Sequence, residues 1–415
     1  MPERLVSLLG VFVMLGLAFA LCPRERRSRV NLRTVAAGLG LLLVTALLVL
    51  RTPVRGLFSV ANQAVERLLG FSADGARFMF GKLADAQGFG FVFAFQVLPT
   101  ILFFSALMSV LYHVGVMPFL IERFGRLLSR TLGVSGAESF STAADVFVGQ
   151  TEAPLVVRPY LERMTLSELN ACMVAGFATT AGGVLAAYVV MLSQSVPGIA
   201  GHLIACSVMS APASLVVAKL MLPETEPHET EATLRASSGG EKANLLDAIA
   251  AGATDGVRLA VNVGAMLFVF LAFTALCNAG LGWLGERVFG TELSLERVLG
   301  WLFWPLAWLM GVPASDVGKL ASLLGQKTVL NEFVAYTHLS QMLSQDPSWL
   351  TERGKLVTTY ALCGFANFGS VGVQIGGYAG LAPNRRGDLS RLALRAMFGG
   401  LLTTNIVACV AGIVL

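Results

Sequence analysis

Two short polar stretches stand inside long apolar ones: Asp145-Val146-Phe147-Val148-Gly149-Gln150-Thr151-Glu152-Ala153-Pro154-Leu155, and Asn331-Glu332-Phe333-Val334-Ala335-Tyr336. Both set carboxylates and amides between apolar flanks. If those flanks lie in lipid, each acidic residue costs about 2.5 to 3.5 kcal/mol on insertion scales, so Asp145 and Glu152 need partners or a task. Gln150 and Thr151 add uncharged donors and acceptors, while Gly149 and Pro154 interrupt the helix and free backbone groups. A solvated cytoplasmic loop is the plain alternative for the first stretch, and a helix-capping or surface acid for Glu332; the apolar flanks weigh against both. Asn367 and Ser370 lie in a further apolar run broken by small and polar residues. Carboxylates, amides and hydroxyls converging at mid-depth would suit a neutral, hydroxyl-rich solute, the carboxylates accepting from a diol or a ring N–H.

These groups need apolar elements to hold them. Of 415 residues, 55% are hydrophobic and 13% charged, with net charge +4, and the mean hydropathy is +0.70. Soluble domains carry roughly 25% charged residues, so an ordinary cytosolic enzyme, a disordered chain and a nucleic-acid binder are excluded. Residues 169–218 contain no Asp, Glu, Lys or Arg, and neither do 89–112, 259–285, 356–384 or 396–415. A helix crosses the hydrocarbon layer in about 20 residues, so these runs are spans, and the first is two of them. The runs are continuous rather than alternating, which excludes a barrel. Cys22, Cys172, Cys206, Cys277, Cys363 and Cys409 form no CxxC pair and read as small buried hydrophobes. There is no zinc spacing, and Gly325-Gln326-Lys327-Thr328 lacks the upstream glycine of a phosphate-binding loop, so no bound cofactor is expected.

Arg24, Arg26, Arg27 and Arg29 follow the first apolar segment instead of preceding it. That order marks a retained span entering the cytoplasm, not a cleaved signal. Spans are then expected near 4–22, 33–50, 89–113, 168–193, 199–221, 257–280, 354–380 and 388–414, with an interfacial stretch at 54–72 and a cytoplasmic loop at 223–243. Both termini fall outside, and the basic clusters 123–130 and 385–391 fall inside. Residues 118–163 and 296–345 are too long for connectors and too interrupted to cross, so they read as re-entrant hairpins. The expected fold is an all-α polytopic membrane protein: eight transmembrane helices plus two re-entrant hairpins around an inverted-repeat transporter core. Residues 1–80 form N-terminal spans and an interfacial helix, 81–222 a first repeat, 223–256 a loop and linker, and 257–415 a second repeat. Gly176-Phe177-Ala178 and Gly364-Phe365-Ala366 echo one another after the two hairpins, and the order of span, hairpin, span, span is the plan of secondary transporters.

Gly325-Gln326-Lys327-Thr328-Val329-Leu330-Asn331-Glu332-Phe333-Val334-Ala335-Tyr336 matches the [G/A]xKxxxNEFVA[Y/M/F] signature, and Gly149-Gln150-Thr151-Glu152-Ala153-Pro154-Leu155 is also typical of the same group. From about residue 90 onward the chain resembles the concentrative nucleoside transporters, in a bacterial-type form. The resemblance implies cation-coupled nucleoside uptake by a homotrimer in the lipid bilayer, without catalysis and without nucleic acid. By position it places Gln150, Thr151, Glu152 and Val184 around the nucleobase, Glu332, Asn367 and Ser370 at the ribose, and Phe365 beside the site. A sodium site would fall at Asp145, Val148, Thr179 and Thr180, whose hard oxygens are apt for a small cation. Sodium-coupled members commonly have Asn where this chain has Asp145. A carboxylate can ligate sodium or exchange a proton, so the coupling ion is either one. The short termini point to a bacterial inner membrane.

Two rivals belong to other classes. A channel would line a continuous polar path with the same carboxylates and give flux that never saturates. An intramembrane enzyme would use Glu152 and Glu332 as acid and base, but no nucleophile or metal constellation accompanies them.

Overall fold

The computed structural model describes residues 2–51, 55–85, 92–227, 243–291 and 293–415. Most of the loop expected at 223–243 lies outside the described residues, as do the first residues of the span expected at 89–113. Among the described residues all regular structure is helical. Helices α1 (Pro2–Ala20) and α2 (Leu32–Arg51) are joined by a 3-10 turn carrying the first arginine cluster. Helix α3 (Arg55–Phe80) follows, then α4 (Phe93–Gln96) and α5 (Leu98–His113), the last with Pro99 in its first turn where a missing N–H is tolerated.

Next come α6 (Val116–Leu132), α7 (Gly136–Val148), α8 (Ala153–Val156), α9 (Leu166–Ala178), α10 (Gly182–Leu192) and α11 (Ile199–Met221). The second half repeats that order. A long α12 (Leu245–Phe289) leads to α13 (Leu295–Leu309), α14 (Ala314–Val329), α15 (Glu332–Gln345), α16 (Glu352–Leu362), α17 (Phe368–Leu381) and α18 (Arg386–Val414).

Among the described residues seven segments are long and apolar enough to cross a membrane. They differ in what surrounds them. Leu166–Leu192, Ile199–Met221 and Pro383–Val414 are more than four-fifths buried in protein, whereas Leu245–Val288 is 11% buried and turns Phe268, Leu276 and Phe273 outward. A helix apolar all round and buried on one side only has lipid as its other solvent. The expected span 354–380 is divided: α16 and α17 flank an irregular stretch at 363–367, and neither half is long enough alone. Its counterpart is α9 and α10, divided at 179–181.

The regions 118–163 and 296–345 each hold more than a hairpin. Each opens with a helix of its own, α6 or α13, before the two arms begin. On α6, Met117, Ile121, Leu128 and Leu132 share one buried stripe while Arg123 and Arg130 face away, the pattern of a helix lying along a boundary. The arms proper are α7 with α8, and α14 with α15. The GFA echo is out of register: Gly176-Phe177-Ala178 ends α9, whereas Gly364-Phe365-Ala366 lies in the break after α16. Matching positions are the helix ends themselves, Ala178 and Leu362.

Helices α5 and α12 pack along each other through two glycines one turn apart. A Cβ on Gly252 would stand 2.6 Å from Ser109 Cβ, and one on Gly256 would stand 2.8 Å from Leu102 Cα. Such small-residue contacts let helix backbones approach where lipid offers no hydrophobic drive. Ser109 Oγ donates to Ala248 O at 2.7 Å across the same pair.

Candidate functional site

The two arms end at tips for different local reasons. Ser135 and Glu138 close a reciprocal capping box that starts α7, and Gly149 stops it with φ +79°. A Cβ on Gly149 would stand 2.6 Å from Ala181 Cβ, so the tip lies directly on the α9–α10 break. In the second half α14 runs to Val329, and Asn331 starts α15 by accepting from Val334 N at 2.9 Å. Glu332 is therefore the first helical residue of α15, where a carboxylate is favoured by the helix dipole.

The breaks are built with matching chemistry. Asn367 Oδ1 accepts from Ser370 N at 2.8 Å and starts α17. Gly364, with φ +104°, turns the chain where a Cβ would meet Ala178 O at 2.8 Å. Thr180 Oγ1 accepts from Gly364 N at 3.0 Å, so the two breaks are joined directly.

Side chains from the tips and breaks then meet. Asn367 Nδ2 donates to Glu332 Oε2 at 2.7 Å and Tyr188 Oη to Glu332 Oε1 at 3.3 Å. Gln150 Nε2 donates to Ser370 Oγ at 3.3 Å, linking the first tip to the second broken helix across 220 positions of sequence. Above these contacts is a cavity of about 550 Å³, within the range of ligand pockets. Gln150, Thr151, Glu152 and Val184 line it from the first half, and Glu332, Phe365, Asn367 and Ser370 from the second. Thr151 and Glu152 are exposed to it, while Gln150, Glu332 and Asn367 are almost entirely buried at its wall.

Of the four residues read as a cation site, Val148 also lines the cavity, and Asp145, Thr179 and Thr180 are fully buried beneath it. Asp145 lies against Gly176 of α9, with Oδ1 3.4 Å from where a Cβ would sit. Neither carboxylate oxygen has a hydrogen-bond partner among the described residues. Thr179 Oγ1 donates to Ala175 O at 2.9 Å, which leaves its lone pairs as acceptors. A buried carboxylate with unpaired oxygens is chemically apt for a small hard cation. No hydrogen bond joins Asp145 to Thr179 or Thr180; the Thr180 hydroxyl faces the second break instead.

Family models match three stretches: the Na+ dependent nucleoside transporter C-terminus over residues 202–412, a nucleoside recognition gate over 94–195, and the Na+ dependent nucleoside transporter N-terminus over 9–83. A Haemophilus influenzae protein described as an uncharacterized transporter is 43% identical over 413 residues, covering 99% of this chain and 97% of its own. The chain belongs to the Na+ dependent nucleoside transporter family. The rat sodium/nucleoside cotransporter 1 is also 43% identical over 99% of the chain, which spans 64% of that relative's length. CNTnw, solved in an inward-facing substrate-bound state, superposes with TM-score 0.91 at 44% identity, covering 99% of this chain and 98% of its own. A CNTnw variant in an outward-facing state gives the same TM-score at 43% identity. These relatives are described as transporters, which weighs against the acid–base reading of Glu152 and Glu332.

For a member of this transporter family, the likeness reaches further than the motifs do: the segment before residue 90 matches as well. Several residues at or behind the wall carry no motif. Tyr188 buttresses Glu332 and stacks on Tyr336 with ring centroids 4.2 Å apart. Asn262 reaches the cavity from α12, and Ser105 and Met108 from α5. The available signal was a lone hydroxyl or amide inside a charge-free run, which is also how a satisfied core residue looks.

Proposed function

We propose that this chain carries nucleosides into the cell by alternating access, coupled to inward movement of sodium. The observation that carries the reading is the single cavity on which both tips and both breaks converge. Eight of its lining residues, drawn from both halves, are those the family resemblance assigns to the nucleobase, the ribose and the edge of the site. Glu332, already oriented by Asn367 and Tyr188, would accept from the ribose hydroxyls, and Gln150 and Thr151 would pair with the base edge. Asp145, Val148, Thr179 and Thr180 would hold the coupling ion beneath Gln150, so that ion binding orders the first tip. Reciprocity then requires nucleoside to tighten ion binding by the same factor.

The architecture of this reading is eight spans and two re-entrant hairpins. Residues 81–222 and 257–415 form inverted repeats, 1–80 an N-terminal scaffold, and 223–256 a cytoplasmic linker. The broken helix α16–α17 counts as the eighth span. Both termini face the periplasm of a bacterial inner membrane. Helices α5 and α12 form a fixed wall past which tips and broken helices slide, and the outward apolar face of α12 supports a homotrimer in the bilayer.

One observation favours protons as a second reading: the buried, unpaired carboxylate of Asp145. Uridine uptake into proteoliposomes, driven in turn by a sodium gradient and by a pH gradient, chooses the ion. Saturable accumulation against a uridine gradient is expected with sodium. Accumulation that ignores both gradients ends the symport reading, and flux that never saturates makes the chain a channel.

A further inference from the structure

Lys327 is the one basic residue of the signature stretch, and the transport reading gives it no task. Its side chain is fully buried. Among the described residues no carboxylate lies within ion-pair distance of it. The ammonium instead donates to three neutral oxygens: Ala361 O at 2.8 Å, Thr404 Oγ1 at 3.0 Å and Cys363 O at 3.2 Å.

The two carbonyl acceptors are available because α16 stops at Leu362. The last carbonyls of a helix have no intrahelical partner and carry its negative dipole end. Here each of three receives a side-chain donor: Thr359 O from Tyr336 Oη at 2.8 Å, Tyr360 O from Cys206 Sγ at 3.6 Å, and Ala361 O from Lys327. Thr404 Oγ1 donates to Leu401 O at 3.1 Å, so only its lone pairs face the lysine. Carbonyl and hydroxyl oxygens around one positive charge make up the donor set of an alkali-cation site.

The position matters as much as the contacts. Lys327 sits two residues before the end of α14, and Asp145 three before the end of α7. Each therefore stands on the last turn of its arm, Lys327 against the carbonyls at the end of α16 and Asp145 against Gly176 in the last turn of α9. The breaks touch: Thr180 Oγ1 lies 3.2 Å from Cys363 Sγ, and Cys363 O is one of the oxygens on Lys327. Four residues beyond Cys363 is Asn367, which holds Glu332.

We propose that Lys327 is a tethered cation, its ammonium permanently filling at the second break an oxygen cage that matches the free-cation site at the first, so that shortening the side chain opens a site for a small free cation. The match to the first break rests on the reading of Asp145, Thr179 and Thr180 given above; the cage itself rests on the distances around Lys327.

The test uses Lys327→Ala and Lys327→Met in the full-length protein, purified in detergent. Thermal unfolding is measured in methylammonium and in tetramethylammonium at equal ionic strength. Sodium dependence of uridine binding is measured beside it. The Ala variant is expected to melt higher in methylammonium than in tetramethylammonium, because only the smaller cation fits. The parent and the Met variant, whose cage is filled, should show no such difference. Uridine binding by the Met variant should weaken roughly tenfold at fixed sodium, because the break that carries Asn367 loses the anchor on its last carbonyls. For the Ala variant the sodium curve should steepen as a second ion is required. Equal melting of the Ala variant in both cations overturns the proposal, as does parental uridine affinity in the Met variant. Failure of both variants to fold in methylammonium overturns it as well, since a free ammonium would then not replace the tethered one. If the parent itself binds no nucleoside, the transport reading fails while the melting comparison still decides the cage.

Discussion

Replacing Glu332 by Gln removes one charge from the cavity wall without changing its volume, and its effect can be worked from the contacts. The carboxylate accepts from Asn367 Nδ2 at 2.7 Å and from Tyr188 Oη at 3.3 Å. Glutamine keeps one acceptor oxygen, so its new NH2 must face either the Asn367 amide or the Tyr188 hydroxyl. With Asn367 fixed by its cap to Ser370 N, the oxygen turns to Asn367 and the amine meets the hydroxyl, which can rotate to accept. The wall survives, but on the transport reading the ribose diol loses a charged acceptor. Hydrogen bonds to charged groups contribute about 1.5 to 3 kcal/mol, and each 1.4 kcal/mol is tenfold, so uridine affinity should fall roughly 10- to 150-fold. Tyr188→Phe removes only the longer contact and should lower affinity by less than about tenfold. Because the two side chains touch, the double variant should lose less than the product of the single losses. Calorimetric binding of uridine to the purified protein measures all four states. Parental affinity for Glu332→Gln would take Glu332 out of the pocket, and strictly multiplicative losses would show that Tyr188 does not act through it.

Two further substitutions probe how the site is held. Gly149→Ala places a methyl 2.6 Å from Ala181 Cβ at φ +79°, whereas Gly133→Ala at φ +65° meets no atom within 4 Å; the first should abolish most uridine binding, the second only lower stability by about 1 to 2 kcal/mol, and equal effects in binding assays would mean the tip does not bear on the break. Lys219→Met leaves Glu138, its partner at 2.7 Å, buried without a counter-charge; a loss of about 3 to 5 kcal/mol is expected in unfolding, partly recovered by adding Glu138→Gln, and a harmless single substitution would show the pair is solvated.

The sequence made the membrane plan legible because lipid imposes long charge-free runs and the basic loops orient them. Both polar stretches stood out for the same reason, and all eight residues read as the solute site line one cavity. Three features could not be read. Helices α6 and α13 were merged into hairpins, since an amphipathic helix at a boundary and a re-entrant arm share one pattern of apolar turns with polar faces. The charge-free run 259–285 gives only part of α12, which continues through Asp255 and Arg258 to Leu245, because a helix does not end where its polarity changes. The GFA echo misplaced the equivalence of the breaks by four residues, as three common residue types match easily and helix ends are set by Thr179, Gly364 and Asn367.

The contact between the breaks has a mechanical consequence that neither tip has alone. Gly364 can lie on Ala178 O only because it has no Cβ, and its N–H is held by Thr180. Any ion that draws the Thr180 hydroxyl toward Asp145 must compete with that N–H, and the chain from Gly364 reaches Asn367 within three residues. A shift at the first break would thus reach the amide that holds Glu332 without passing through a long helix. Close-packed interiors transmit such a shift instead of absorbing it, and on the transport reading that is what couples ion to nucleoside. An apolar cluster of Leu267, Leu330 and Val334, with Phe93 and Phe270 packed on it, borders the same cavity. Since Leu330 and Val334 flank Glu332 on the second tip, movement of that tip would move the cluster, and on the transport reading opening of the cavity on that side is tied to the residues proposed to grip the solute.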